Sequence, residues 1–467
     1  MKLEFHGADQ NVTGSCHLFE AHGKKILIDC GLYQGGRAMD EENAEPFGFD
    51  PASIDYLLLT HAHLDHCGRI PLLVKRGFVG EIITTAASCE LARLVLLDSA
   101  SLQEDEARYK SKKASRHGHK KAEIEPLYNV VDVLHSIGFF GRSAQYNQPL
   151  EITPGIQATF IDAGHILGSA SIVLGVEHKG QQRKILFSGD LGYSNRAIIK
   201  DPSTPPHVDI VVMETTYGDR LHKTLEPTLE EFYQTISSTI AKGGNVIIPS
   251  FALERAQELL YYLREGIENG HLPPYLPVFL DSPMAISATQ IFQRHPECFD
   301  KETCEVFKSG LDPFKFPGVH FTRETAESMS LNNIAGGAVI IAGSGMCTGG
   351  RIKHHLKHGL WERQNTVIFV GYAAYGTLAR RIVDGAKQVK IFGEDIPVKA
   401  SIITIGGFSA HADQAELLAW HELTGHPKVT FLVHGDKEVM PVFAKKLGNT
   451  QVEIPALHQS YALEDWL

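Results

Sequence analysis

Cysteine is sparse and unpaired in this chain: seven residues among 467, at positions 16, 30, 67, 89, 298, 304 and 347, with no CxxC pair. An odd, scattered set argues against a disulfide framework and a thiolate zinc site, and leaves reduced, mostly buried thiols. Long apolar runs are missing as well; no stretch approaches the length of a membrane helix. The first residues, Met1 to Gly7, lack the apolar core of a signal peptide and read as the start of a strand, so the expected location is cytoplasmic. Positive charge is in deficit, with 44 Lys and Arg against 55 Asp and Glu for a net charge of −11. Such a balance does not advertise nucleic-acid binding, which leaves a basic footprint. It does not exclude it, because local patches and metals offset the field. What is present, 43% hydrophobic and 21% charged residues, is the composition of an ordinary globular protein. The length predicts two or three units.

One short stretch stands out, Thr60-His61-Ala62-His63-Leu64-Asp65-His66-Cys67-Gly68. It lies between an apolar run of strand length, Ile54 to Leu59, and an amphipathic helical pattern from Arg69. Imidazole nitrogens and carboxylate oxygens are the ligands that zinc and similar divalent ions take. In an extended backbone His61 and His63 point the same way, while Asp65 and His66, past the bend, point elsewhere. That spacing suits two neighbouring metals better than one. A polar helix cap at Asp65 is the bland alternative, but three His and an Asp within six residues make it a poor account. Cys67, on the helix, is expected to face the core.

The same grammar recurs on either side of this turn. Asp29 ends a buried strand, either as a turn former or as a group orienting a metal-binding His. His165 and Asp190 each follow an apolar run and are flanked by glycines, and Glu214 follows Ile210 to Met213. From about residue 226 the texture changes to buried strand, turn and helix, repeated four times, which predicts a parallel sheet whose turns gather at one edge. Small residues and hydroxyls in those turns, Ser250, Ser344, Gly345 and Met346 among them, suit phosphate or RNA, and Ser409 is added from the later turn. Each glycine-rich turn alone is weak, since tight connections also need glycine. Short strands resume near 400, and His411 and His434 again lie just beyond apolar runs. His354, His355 and His358 fall on a Lys-rich helix without acidic partners and read as surface. Residues 108–121 form the strong basic run; it is either a solvated, flexible loop or a phosphate-backbone contact.

Taken together, His61-x-His63-x-Asp65-His66 with Asp29, His165 and Asp190 resembles the metallo-β-lactamase fold. Glu214 to Gly218, Gly407 to Asp413 and Val433-His434-Gly435 resemble the further motifs of its β-CASP branch, in the right order along almost the whole chain. The resemblance implies an α/β fold, an αββα sandwich with an inserted β-CASP domain made of a parallel sheet flanked by helices. Its expected limits are 1–208 and 396–467 for the sandwich and 209–395 for the insert. It also implies a two-metal hydrolase. One zinc would be held by His61, His63 and His165, the other by Asp65, His66 and His434, with Asp190 bridging and Asp29 behind. Asp65, Glu214 and His411 would be the catalytic groups, His411 protonating the leaving oxygen and Glu214 orienting it.

Within the branch, His at the position of His434 is associated with RNA enzymes, and the short tail resembles the minimal two-domain bacterial form. The implied activity is a zinc-dependent ribonuclease acting on single-stranded RNA. Its implied partners are RNA, a homo-oligomer or RNA-decay proteins, and no membrane. A DNA nuclease is the main alternative. A small-molecule thioesterase or lactonase fits the insert poorly, and an inactive scaffold fits the full set of ligands poorly.

Overall fold

The structure, a computed structural model, describes residues 1–35, 37–116, 124–371, 373–374 and 376–467. It divides into two compact units, one formed by 1–194, 201–221 and 411–467, the other by 195–200 and 222–410.

The first unit holds two seven-stranded sheets. One runs in the order Ser460–Ala462, Lys2–Phe5, His17–Ala21, Lys24–Ile28, Tyr56–Leu58, Glu81–Thr85, Phe140–Ala144. The other runs Gln451–Glu453, Val429–Val433, Ile210–Glu214, Gln181–Phe187, Ala170–His178, Ile156–Asp162, Pro149–Thr153. Alternation along the strands decides what each face meets. Phe160, Leu174, Phe187, Val212 and Phe431 join Phe5, Phe19 and Ile28 in the core shared by the two sheets. Their neighbours Ile161, Val173, Leu186, Val211 and Leu432 turn the other way, onto Leu417, Trp420 and Phe443 of the helices Gln414–Glu422 and Met440–Ala444. Both faces are therefore buried at the central strands Ile210–Glu214 and Val429–Val433, which is why those read as continuous apolar runs. Helices Ile70–Lys75, Ala86–Arg116 and Val130–Ile137 pack together beside the first sheet. The result is the αββα sandwich.

The second unit is built on a six-stranded sheet, ordered Val319–Phe321, Val278–Leu280, Val339–Ala342, Val246–Pro249, Thr366–Phe369, Ser401–Thr404, with every neighbouring pair parallel. Ile247, Val367 and Phe369 pack with Ile352, Leu356 and Ile382 of the connecting helices. The expected insert runs over 209–395 and the change of texture begins near 226, whereas the compact units divide at 221 and 410. Strand Ile210–Glu214 pairs in parallel with Gln181–Phe187 and Val429–Val433, so it belongs to the first unit while looking like a strand of the second. Strand Ser401–Thr404 pairs with Thr366–Phe369 and belongs to the second.

Two expectations are corrected here. His355 is not a surface residue: it is buried, and its Nε2 lies 2.6 Å from Asp281 Oδ2. The acidic partner sits 74 residues away in sequence and is invisible locally. His354 and His358 are exposed, as expected. The basic run is not a loop over 108–116, where it forms the end of helix Ala86–Arg116; Lys110 pairs with Glu106 at 2.8 Å and Arg108 with Asp105. Its remainder, 117–121, lies outside the described residues. Cys67 is fully buried. Among the described residues no helix is long and apolar enough to cross a membrane.

Candidate metal centre

Five strand ends of the first unit deliver the site. His61 and His63 follow Tyr56–Leu58, and Asp65 and His66 sit on the short helix Leu64–Cys67 that follows. His165 follows Ile156–Asp162, Asp190 follows Gln181–Phe187, Glu214 closes Ile210–Glu214, and His434 follows Val429–Val433. Glu214 is in register with Val433, so the parallel pairing itself carries His434 to the site. Gly31 lets the chain past: a Cβ there would collide with the carbonyl of Asp65. A side chain at 31 would push the metal turn away.

Among the described residues, side chains that could hold a metal lie with their donor atoms within 4.8 Å of one another in three groups: His61 with His63, His165 and Asp190; Asp65 with His66 and His434; and Asp190 again with Glu214 and His411. In the first, His63 Nδ1 is 3.2 Å from both His61 Nε2 and His165 Nε2, and Asp190 Oδ2 is 3.5 Å from each of those two nitrogens. In the second, His434 Nε2 is 3.3 Å from His66 Nε2 and 3.4 Å from Asp65 Oδ2. Asp190 Oδ1, 3.2 Å from His66 Nε2, faces this second group. A tetrahedral ion with ligands at about 2.0–2.1 Å has ligand-to-ligand edges of about 3.3–3.4 Å. The observed spacings match those edges.

The electrostatics also fit a cation. Burial pushes His61 well below the usual imidazole range and His63 down to about 4, so their nitrogens are available as acceptors. Burial opposes charge at Asp190 and Asp65 too. At Asp190 the surrounding imidazoles, first among them His434 and His66, outweigh it and hold the carboxyl well below its ordinary value. At Asp65 the hydrogen bond from His434 does so. His66 is the reverse case: burial lowers it, but Asp190 and Asp29 together hold it well above the usual range. A field that retains a proton there would equally retain a metal ion. Asp190 Oδ1 is buried and meets His66 Nε2 at 3.2 Å and His434 Nδ1 at 3.5 Å as ion pairs without a well-aligned hydrogen bond, a state that a cation would improve. The donor set therefore fits metal ions; the residues could hold two.

Behind the donors lies a layer of orienting groups. Asp29 Oδ2 is 2.7 Å from His66 Nδ1 and also accepts from Thr60 Oγ1 at 2.8 Å, while Asp29 Oδ1 accepts from Thr60 N at 2.8 Å. With Nδ1 engaged, His66 presents Nε2 to the cluster. Thr60 Oγ1 lies 3.0 Å from His61 Nδ1, and Thr216 Oγ1 lies 3.1 Å from His434 Nδ1. Neither threonine stands out in the sequence. Their only local signal is position, one residue before His61 and two after Glu214.

His411 belongs to the third group, with Asp190 and Glu214. Its Nε2 is 4.0 Å from Asp190 Oδ2, and its Nδ1 is 3.1 and 3.2 Å from the two oxygens of Glu214. Glu214 is itself buried and fixed, accepting from Leu191 N at 2.7 Å and Thr216 N at 3.3 Å. Burial lowers the proton affinity of His411, but Glu214 and Asp190 raise it further, to about 9. The half-buried ring thus holds a proton close to the metal donors.

The other predicted residues belong to the second unit. Ser250 is buried with its hydroxyl donating to the Phe251 carbonyl at 2.9 Å, and Ser344 Oγ is 3.4 Å from Thr348 Oγ1. Met346 accepts from Ala374 N at its sulfur, 3.3 Å away, and buried Ser409 accepts at its carbonyl from Arg196 Nη2 at 2.9 Å. Gly345 lies against the Phe251 ring.

Comparison with known proteins extends this picture. The metallo-beta-lactamase superfamily model matches residues 10–219, the Beta-Casp domain model 256–382, and the model of a Zn-dependent metallo-hydrolase RNA specificity domain 395–456. The chain is 40% identical over 447 residues to Ribonuclease TTHA0252 of Thermus thermophilus, covering 96% of each protein. It is 30% identical to an RNase J-like protein of Methanocaldococcus jannaschii, over 97% of this chain and 96% of that one. It is 32% identical to transcription termination factor FttA of Methanothermobacter thermautotrophicus, over 93% of this chain and 67% of the relative. A crystal structure of an Enterococcus faecalis protein of unknown function shares the fold, with a TM-score of 0.55 at 13% identity over 98% of this chain and 99% of that one.

Proposed function

The chain belongs to the metallo-β-lactamase superfamily and to its β-CASP branch, and from that premise we propose that it is a cytoplasmic, zinc-dependent ribonuclease hydrolysing phosphodiester bonds of single-stranded RNA. The observation that carries this is the convergence, within one unit, of seven metal-type donors with the His411–Glu214 pair. The match over 395–456 to an RNA specificity domain and the relatives named as ribonucleases support RNA over DNA.

His61, His63 and His165 would hold one zinc and Asp65, His66 and His434 the other, with Asp190 shared. Bound zinc supplies Lewis acidity, which activates water near neutral pH and offsets charge on phosphate oxygens. The chain's own residues do the rest. Asp29 and Thr60 set the tautomer of His66, and Thr216 sets that of His434. Glu214 engages His411 Nδ1, which leaves Nε2 as the atom that carries the transferable proton. Cleavage expels the 3′-oxygen, and His411 Nε2 would protonate it; a positioned general acid of this kind contributes about 10²–10⁴-fold.

The test is an assay with end-labelled single-stranded RNA and DNA and a thioester, using wild type, Asp65→Ala and His411→Ala, with metal content measured on each. RNA cleavage lost in both variants, with metal lost only in Asp65→Ala, is the expected result. Intact RNA alongside a hydrolysed thioester would overturn the proposal, and preferential DNA cleavage would replace it with the DNA-nuclease reading.

A further inference from the structure

We propose that Phe251 is a stacking platform for one nucleobase of the RNA strand, an assignment that rests on the ribonuclease reading above. Five aromatic side chains among the described residues are strongly exposed: Tyr109, Phe251, Tyr275, Trp361 and Phe392. Tyr109 lies on helix Ala86–Arg116 of the first unit. Within the second unit, Tyr275 precedes strand Val278–Leu280 and Trp361 precedes Thr366–Phe369, so both sit at the amino ends of the parallel strands. Phe392 caps the hairpin Gln388–Ile391/Glu394–Pro397. Phe251 alone of the five follows the carboxyl end of a parallel strand, Val246–Pro249. Ligands bind at that edge of an open parallel sheet.

The ring is backed by the chain and half exposed. It is 48% exposed although a phenylalanine gains most by burial. Beneath it runs the turn after the adjacent strand Val339–Ala342: a Cβ on Gly345 would lie 3.0 Å from Cδ2 and Cε2 of the ring. The bare backbone of Gly345 therefore backs the aromatic, and a Cβ there would crowd the ring. The ring's own backbone carbonyl is tied to the Ser250 hydroxyl. A fixed ring with solvent access is what base stacking needs, and stacking tolerates any base because every base has a π-face. The nearby hydroxyls of Ser344 and Thr348 suit the sugar-phosphate that accompanies such a base.

Two measurements test this on the full-length, zinc-loaded protein. One is binding of a short single-stranded RNA, phosphorothioate-linked to slow hydrolysis. The other is KM and kcat on ordinary RNA. Phe251→Ala should weaken binding and raise KM about tenfold, the order expected of one base–aromatic stack, with kcat within about twofold; Phe251→Tyr should restore both. Substrates abasic at one position at a time should reveal a single position whose loss weakens wild type about tenfold yet leaves Phe251→Ala unchanged. Equal zinc content and melting temperature in the variants exclude a folding defect. Unaltered RNA affinity in Phe251→Ala, or abasic effects that add to the mutation at every position, would overturn the assignment. RNA binding without cleavage would sink the ribonuclease reading while leaving the platform standing.

Discussion

In the first unit the ring nitrogens of His61 and His165 face that of His63 across 3.2 Å, and those of His66 and His434 face each other across 3.3 Å. A strand end of the second delivers Asp281, whose oxygens are taken up by Arg351 at 2.7 Å and by Ser328 and His355 at 2.6 Å each. Both clusters are buried and both combine His with Asp. They differ in whether the polar groups satisfy each other. The Asp281 cluster is closed, donor to acceptor throughout, and a closed network rigidifies a fold. The His61 cluster turns the nitrogens of His61 and His165 onto that of His63, an approach that neutral rings satisfy only in part, and it leaves Asp190 Oδ1 without a well-formed hydrogen bond. Burial of such an arrangement is costly, and a bound cation would offset that cost.

The largest expected effect is metal removal. A chelator should abolish RNA cleavage and lower the protection of amides around 60–66, 165 and 190 against hydrogen exchange, leaving the amides around Asp281 unchanged. An equal loss in both units would erase the contrast. Next, His411→Ala should cut kcat by about 10²–10⁴-fold with zinc content unaltered; metal loss would mean that His411 is a ligand. Asp281→Ala should then cost the second unit about 3–5 kcal/mol of stability, because Arg351 loses its buried partner. Zinc stoichiometry should not change, and denaturant melts together with metal analysis check both halves of that statement.

Acid should separate the units as well. Burial lowers His6 and His421 to about 4 and His17 to about 3 in the first unit. Folding there favours the neutral rings, so the stability is fully present above about pH 6.5 and is lost as pH falls toward 4, about 3 kcal/mol for His421. Burial works against Asp281, but its three donors hold it below the usual carboxylate range, so its contribution is lost only below that range. Metal-free protein melted between pH 7 and 4 should lose the first unit first, and His421→Gln should flatten that slope. The smallest effect is expected from Asp29→Asn, about 10–100-fold in metal affinity, read by competition with a chelating dye. No change would mean that Thr60 alone orients His66.

Legibility followed the same divide. The candidate metal turn is legible because three His and an Asp crowd into a few residues behind an apolar strand, and the parallel sheet because strand, turn and helix repeat. The burial of His355 is not legible because its partner is far away in sequence, and the loop reading fails over 108–116 because those residues continue a long helix. Thr60 and Thr216 were missed because a hydroxyl beside a strand has no distinctive pattern. The limits of the insert are not legible in the sequence, because a buried parallel strand looks the same in either unit.

By itself the sequence determined the period-two and strand–turn–helix patterns, hence the layers, and the identity of every donor, since residue type alone sets which atoms can bind a metal. Which donors meet was decided only by tertiary structure. Register between Ile210–Glu214 and Val429–Val433 brings His434 to Asp65 and His66, and Asp190 reaches both groups because its strand lies beside Ile210–Glu214 in the same sheet. Whether a buried His is held in a closed network or turned onto other ring nitrogens depends on partners brought from distant strands. That choice separates His355, a structural residue, from His61, a candidate ligand.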